Sequence, residues 1–269
     1  MELQGLTRTK LARFAPSWCS GVRWVVFTDM DATLIGGEDF SLGQNAKVIN
    51  TLAQADILVV LVTSKTAQEV VHFNHKHGLR VPAIVENGCA WLDVGCDKPV
   101  GLTHALSTAE IWQRLPGDIQ AQALDQLPQR QTSILGLKGA ALDRAMQREF
   151  SVPVLPQVAG DPRLGALGLQ AEVGGRIANL VGLGCSKQSA ITQLRTRLKY
   201  DYCMALGDGP NDRGMLSAAD LSVCVSNPST RSSMQSVPVH FRTQRSAPQG
   251  WLDAVSFVFS PLLEAYRHV

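Results

Sequence analysis

The chain of 269 residues is long enough to bury a large core, and two domains are expected. Its 25 Lys and Arg nearly balance its 23 Asp and Glu, so charge makes no case for a nucleic-acid partner. The longest apolar runs fall far short of the roughly 20 residues that a membrane span needs, so no membrane partner is expected either. Residues 1–20 carry Arg8, Lys10 and Arg13 without an unbroken apolar stretch for a signal peptide, and read as an N-terminal surface extension.

The first predicted strand, in WVVFTDMDATLIG from Trp24 to Gly36, ends on two aspartates. Alternate strand residues point the same way, so Asp29 and Asp31 are expected to project together from its carboxyl end. Two carboxylates so placed repel unless a cation or a shared proton separates them. The arrangement suits a divalent metal, one carboxylate free to attack and another to move protons.

The run ILVVLVTSKT, Ile57 to Thr66, reads as a second strand, buried on both faces as in a parallel sheet. Thr66 with Glu69 forms a capping box, so a helix should start there. Thr63 and Ser64 fit helix-entry chemistry, and a hydroxyl with free amides at such an entry also binds phosphoryl groups. The stretch HFNHKHGLR, with His72, His75 and His77, is polar and stops at Gly78 as a solvated helix end would.

The middle of the chain, about 99–180, differs in pattern. It holds Trp112, the polar stretch QALDQLPQRQTS, a helical run from Ala140 to Phe150, and GLQAEVGGRIANLVG, where Gly174 and Gly175 predict a hairpin turn. Apolar strands alternate with helical segments over 22–90 and again from 181 onward, which predicts an α/β fold with a doubly wound, mostly parallel sheet. The expected organisation is a core in two parts, 21–98 and 181–269, around an inserted α+β cap domain at 99–180.

In GLGCSKQSAITQLRTRL, Gly182 to Leu198, a Ser and a Lys open an amphipathic helix whose Ile191, Leu194 and Leu198 should face the sheet. Lys187 sits in the first turn, where a cation is disfavoured by the helix dipole unless anions wait beside it. A further apolar strand in YCMALGDGPNDRGML, Tyr202 to Leu216, ends in a turn that Gly207 and Gly209 permit and Pro210 leads into a helix. Asp208 and Asp212 can converge there on one cation. Four strand or helix ends thus carry the residue types that phosphoryl transfer requires. The six cysteines show no metal-type pairing. Cys203 and Cys224 fall in apolar strands as small hydrophobes, and a reducing cytoplasmic location follows as the default.

Through DMDAT, the Thr63 strand end, Lys187 and GDGPND, the chain resembles the haloacid dehalogenase superfamily of phosphatases. Through VTSKT at 62–66, IVENG at 84–88, REF at 148–150 and GGR at 174–176, it resembles more narrowly the mannosyl-3-phosphoglycerate phosphatases. The family more often has glycine where Ala32 stands, a second glutamate where Val152 stands, and an aromatic and a histidine where Ile177, Ala178 and Asn179 stand. These differences bear on the sugar more than on the chemistry.

The resemblance implies a Rossmann-like core with a cap that supplies substrate contacts. It implies Asp29 as nucleophile, Asp31 as acid and base, and Mg2+ held by the Asp29 carboxylate, the Asp31 carbonyl and Asp208, with Asp212 nearby. Phosphoryl oxygens fall to Thr63, Ser64 and Lys187. Lys65 and Arg176 can pair with a glycerate carboxylate, and Asn87 and Gly88 resemble family residues facing the pocket. The expected substrate is a phosphorylated sugar or glycosyl glycerate, mannosyl or glucosyl, or a broader set of sugar phosphates. A phosphotransferase or mutase would use the same site, whereas a non-catalytic sensor would be expected to have lost Asp29, Asp31 or Lys187.

Overall fold

A computed structural model describes residues 22–174, 176–260 and 263. The expected extension at 1–20 lies outside the described residues. In chain order the strands are β1 (Trp24–Thr28), β2 (Leu58–Val62), β3 (Ala83–Val85), β4 (Ala90–Leu92), β5 (Val100–Gly101), β6 (Val152–Val154), β7 (Leu169–Gly174), β8 (Ile177–Gly182), β9 (Tyr202–Gly207), β10 (Leu221–Ser226) and β11 (Phe241–Ser246). The α-helices are α1 (Asn45–Gln54), α2 (Ala67–His77), α3 (Thr108–Arg114), α4 (Gly117–Gln120), α5 (Pro128–Leu135), α6 (Ala140–Met146), α7 (Lys187–Leu198), α8 (Arg213–Ala218), α9 (Arg231–Met234) and α10 (Gln249–Val258). Among the described residues no helix is long and apolar enough to cross a membrane.

By internal contacts the chain divides into two compact units. The first comprises residues through 62, 77–81 and from 191 onward. Its strands lie in the order β11-β10-β9-β1-β2 with every pair parallel. All five residues of β1 are buried, as expected for a strand flanked on both edges and covered on both faces. Val26 pairs with Val59 on one side and with Met204 on the other. Helix α10 packs on β10 and β11 and against α1, which lies on β2, while α8 packs on β9 and β10. The expected mostly parallel sheet with helices on both sides is present. The second predicted strand begins at Leu58, whose side chain is partly exposed, one residue later than the apolar run.

The second unit comprises residues 63–76 and 82–190. Strands β3, β4 and β5 form an antiparallel meander, and β6-β8-β7 form a separate antiparallel sheet. That sheet shares a core with α3 and α4 through Ile111, Ile119, Val152, Val154, Ala178 and Leu180. Val152 and Ala178, two of the positions that depart from the narrower family pattern, are therefore packing residues here. The β7–β8 hairpin closes with Gly174 opposite Ile177, and Arg176 lies in its turn.

The sequence predicts helix from Ala140 to Phe150, but α6 ends at Met146. The backbone amides of Glu149 and Phe150 donate to the Glu86 carboxylate at 2.9 and 3.2 Å, and Phe150 packs against Cys89, Val181 and Cys185. A buried side-chain acceptor competes with the helix ladder for those donors and wins. Helix α2 behaves as predicted. The amide of Thr66 donates to Glu69 Oε2 at 2.9 Å, that of Glu69 donates to Thr66 Oγ1 at 3.2 Å, and Gly78 follows the helix at φ +61°.

Candidate active site

In the first unit Asp29 follows directly on β1, and its amide donates to the carbonyl of Leu206 on β9 at 3.0 Å. Its own carbonyl accepts a hydrogen bond of 2.8 Å from the Thr28 hydroxyl, which in turn accepts 3.0 Å from Trp251 Nε1 of α10. After Met30 the chain turns tightly. The amides of Thr33, Leu34 and Ile35 all bond to the Met30 carbonyl. Strand β1 ends at Thr28, so both aspartates lie just beyond it, and Asp31 lies within this turn. Carboxylate oxygens of Asp29, Asp208 and Asp212, all buried, lie within 4.8 Å of one another, and the Asp31 carboxylate is not part of that cluster. Ala32 occupies the left-handed region at φ +59°, which accounts physically for a preference for glycine at this position.

The other two acids come from the turn after β9. Asp212 Oδ2 accepts the amides of Asp208 and Gly209 at 3.0 and 2.9 Å, so this carboxylate folds back over the turn that carries Asp208. A Cβ on Gly207 would lie 2.5 Å from the Asp212 Cβ, so the turn requires glycine there. Asp208 is held on three sides. Its Oδ1 accepts from the Thr33 hydroxyl at 2.6 Å, its Oδ2 from Asn227 Nδ2 at 2.7 Å, and its carbonyl from the Thr230 hydroxyl at 2.6 Å. Sequence reading missed Asn227 and Thr230, which follow β10 in a stretch that looks like an ordinary polar turn. Thr33 was visible only as the last residue of DMDAT.

Oxygen donors alone, three of them ionisable, suit a hard divalent cation. Two ligands on opposite sides of Mg2+ lie about 4.2 Å apart, which is comparable with the span of the cluster. Asp29, Asp208 and Asp212 fit such an ion, and their hydrogen-bond partners supply the orientation that ligating carboxylates need.

The second unit carries the remaining predicted residues. Thr63 is buried, and its amide donates to Ile84 O at 2.9 Å while its carbonyl accepts from the Asn87 amide at 2.9 Å. The Lys65 amide donates to Thr63 Oγ1 at 3.2 Å, and Lys65 Nζ lies 3.7 Å from Glu69 Oε1. Arg148 Nη1 donates to the Ser64 carbonyl at 3.3 Å. Residues Glu86, Asn87 and Gly88 all have positive φ, at 50°, 60° and 100°.

A Cβ on Gly88 would sit 2.1 Å from the Ser186 carbonyl oxygen and 2.8 Å from the Lys187 amide nitrogen. The ENG turn therefore lies directly on the start of α7. There Ser186 caps the helix, its hydroxyl accepting from the Ser189 amide at 3.0 Å, and Lys187 is almost fully buried. Burial, assisted by the nearby Glu86, raises the Glu149 carboxyl above the ordinary range. Arg176 is exposed, with its guanidinium against Gly136, the left-handed residue that ends α5.

The sequence pattern of the haloacid dehalogenase-like hydrolases matches residues 26–114 and 171–233 of this chain, more than half of it. Among solved structures, a phosphatase of the haloalkanoate enzyme superfamily from Bacteroides thetaiotaomicron is similar with a TM-score of 0.64 at 18% identity, over 90% of this chain and 96% of that one. A protein from Thermoplasma acidophilum gives 0.62 at 16% identity, over 90% and 99%. A HAD subclass IIB sugar phosphatase gives 0.61 at 13% identity, over 88% and 98%. At these identities the likeness is one of fold.

Proposed function

Because the chain belongs to the haloacid dehalogenase-like hydrolases, we propose that it is a magnesium-dependent phosphomonoesterase that works through an aspartyl phosphate. The substrate proposed is mannosyl-3-phosphoglycerate, split to mannosylglycerate and phosphate. The observation that carries the reading is the buried cluster of Asp29, Asp208 and Asp212 at the carboxyl ends of β1 and β9, where open α/β sheets bind ligands.

In this reading an Asp29 oxygen attacks phosphorus in line, and the bond to the leaving alkoxide breaks. Asp31 gives its proton to that alkoxide, then takes one from the water that opens the aspartyl phosphate and frees inorganic phosphate. Thr63, Ser64 and Lys187 are assigned from their motifs to hold the phosphoryl oxygens. Asp29, the Asp31 carbonyl and Asp208, with Asp212 nearby, would hold magnesium, which would supply positive charge against those oxygens. Asp212 keeps the Asp208 turn closed through its two amide hydrogen bonds. We assign residues 99–180 as the cap, with Arg176 as its substrate-facing contact, and assign Lys65, Asn87 and Gly88 of the first core part to the substrate as well. A broader sugar phosphatase is the second reading, favoured by the likeness to the subclass IIB sugar phosphatase.

The test is phosphate release from mannosyl- and glucosyl-3-phosphoglycerate and from simple sugar phosphates, with Asp29→Asn as control. The mannosyl ester is expected to give the highest kcat/KM, and Asp29→Asn is expected to give no turnover. Equal rates across the panel select the broader reading. Wild-type rates in Asp29→Asn refute the nucleophile.

A further inference from the structure

Glu86 is a fully buried acid that the mechanism above does not use. Its carboxylate accepts from the Glu149 amide at 2.9 Å, the Phe150 amide at 3.2 Å and the Ser151 hydroxyl at 2.5 Å. Its backbone amide donates to the Lys65 carbonyl at 3.0 Å. Ser151 Oγ also accepts 3.1 Å from Arg148 Nη1, which donates as well to the Ser64 carbonyl. The hydrogen bonds therefore close a ring, from Glu86 through Ser151 and Arg148 to Ser64 and back from Lys65 to Glu86. One side of that ring is the loop 63–66. A further bond, from the Thr66 hydroxyl to the Arg144 carbonyl at 2.8 Å, ties the same loop to the last turn of α6, just before residues 148–151.

The backbone at Glu86 and Asn87 is left-handed, a conformation that non-glycine residues hold at a cost. Such strain persists where the surroundings over-determine it. Here they do so with three donors on one side chain, two of them backbone amides that nothing but an acceptor can satisfy. Two residues on, Gly88 abuts the backbone of Ser186 and Lys187.

We propose that Glu86 and Arg148 are positioning residues that clamp the phosphate-binding loop Thr63–Thr66 and the start of α7 at Lys187 onto the segment 148–151. The proposal rests on the reading of that loop as the phosphoryl site. Glu86 is set so that neither oxygen is spare. A glutamine puts an amide donor where an acceptor is required, so Glu86→Gln keeps the volume and loses the clamp. Arg148→Ala opens the ring from the opposite side without touching Glu86.

The experiment measures kcat and KM on p-nitrophenyl phosphate, and hydrogen exchange of residues 62–66 and 147–151, in the full chain. Each single variant is expected to lower kcat by about 10- to 100-fold, and to speed exchange in both segments while the fold persists at the assay temperature. The double variant is expected to lose little more than the worse single, because either change opens the same ring. Unchanged kcat in both singles overturns the proposal, and so do losses that multiply in the double. If Glu86→Gln does not fold, Ser151→Ala removes only the hydroxyl that joins Glu86 to Arg148. It is expected to lower kcat by about 3- to 10-fold, and an unchanged kcat then overturns the clamp. A wild type that hydrolyses no phosphate ester refutes the phosphatase reading and leaves the clamp to the exchange data. Faster exchange of 62–66 in Arg148→Ala supports it there, and unchanged exchange overturns it.

Discussion

Replacing Gly88 by alanine tests how tightly the ENG turn sets the start of α7. The added Cβ would stand 2.1 Å from the Ser186 carbonyl oxygen, 2.3 Å from its carbon and 2.8 Å from the Lys187 nitrogen. An ordinary C···O approach is about 3.3 Å, so the two backbones must separate by about 1 Å. Alanine at φ +100° adds a conformational penalty of about 1 to 2 kcal/mol. A displacement of about 1 Å in a catalytic group costs on the order of 100-fold in rate, or about 2.7 kcal/mol. Gly78→Ala supplies the control, since Gly78 also has positive φ but nothing within 4 Å of its added Cβ. Both variants are expected to melt several degrees lower than the wild type by circular dichroism. Only Gly88→Ala is expected to lose about 100-fold in kcat on p-nitrophenyl phosphate. Equal kcat in the two variants would refute the argument that Gly88 holds Lys187 in place.

Thr33→Val and Asn227→Ala each remove one hydrogen bond to the Asp208 carboxylate. Each is expected to raise the magnesium concentration for half-maximal activity by about 10- to 100-fold, and an unshifted magnesium titration would count against Asp208 as a ligand. Arg176→Ala is expected to cost about 1.5 to 3 kcal/mol in kcat/KM on substrates that carry the glycerate carboxylate and almost nothing on p-nitrophenyl phosphate. Equal losses on both would make Arg176 a structural residue at the end of α5. Burial pushes the Cys203 thiol up to about 11, so the unfolded chain releases that proton at lower pH than the folded one. Stability should be complete below a pH of about 8.5 and fall as pH rises towards the folded value. Thermal melts of Cys203→Ala are expected to show a shallower decline over that range. An identical pH dependence would contradict the burial argument.

Much of the parallel sheet can be read from the sequence because β1, β2 and β9 are largely apolar runs that stop on glycine or polar residues. Periodicity and turn chemistry located β1, β2 and β9, the capping box of Thr66 with Glu69 and the stop at Gly78. The same local patterns located Asp29, Asp208 and Asp212. Hidden from local pattern were residues whose role depends on partners distant in sequence. Thr33 reaches Asp208 across 175 positions, and Asn227 reaches it from the turn after β10. Glu86 drew notice only as part of IVENG, yet it is fully buried and takes the amides of residues 63 and 64 positions away. The predicted helix to Phe150 failed for the same reason, since helix propensity says nothing about an acceptor arriving from another part of the chain. The family differences at Val152 and Ala178 looked like changes in substrate contacts, but only the packed core identifies them as apolar filler.

Strand β1 lies between β2 and β9, and these neighbours are made at very different times. Strand β2 follows β1 within one short helix, whereas β9 starts at Tyr202. At a synthesis rate of roughly 5–20 residues per second, the ribosome takes about 9 to 35 s to travel from the end of β1 to the start of β9. Throughout that interval the apolar edge WVVFT has no partner on its β9 side and can template pairing with another nascent chain. Until β9 arrives, two of the three clustered acids do not yet exist, so Asp29 waits at the end of an open edge. Overproduction at high temperature should therefore favour aggregates nucleated at β1, and slower expression in the cold should recover soluble protein without any change in its final stability.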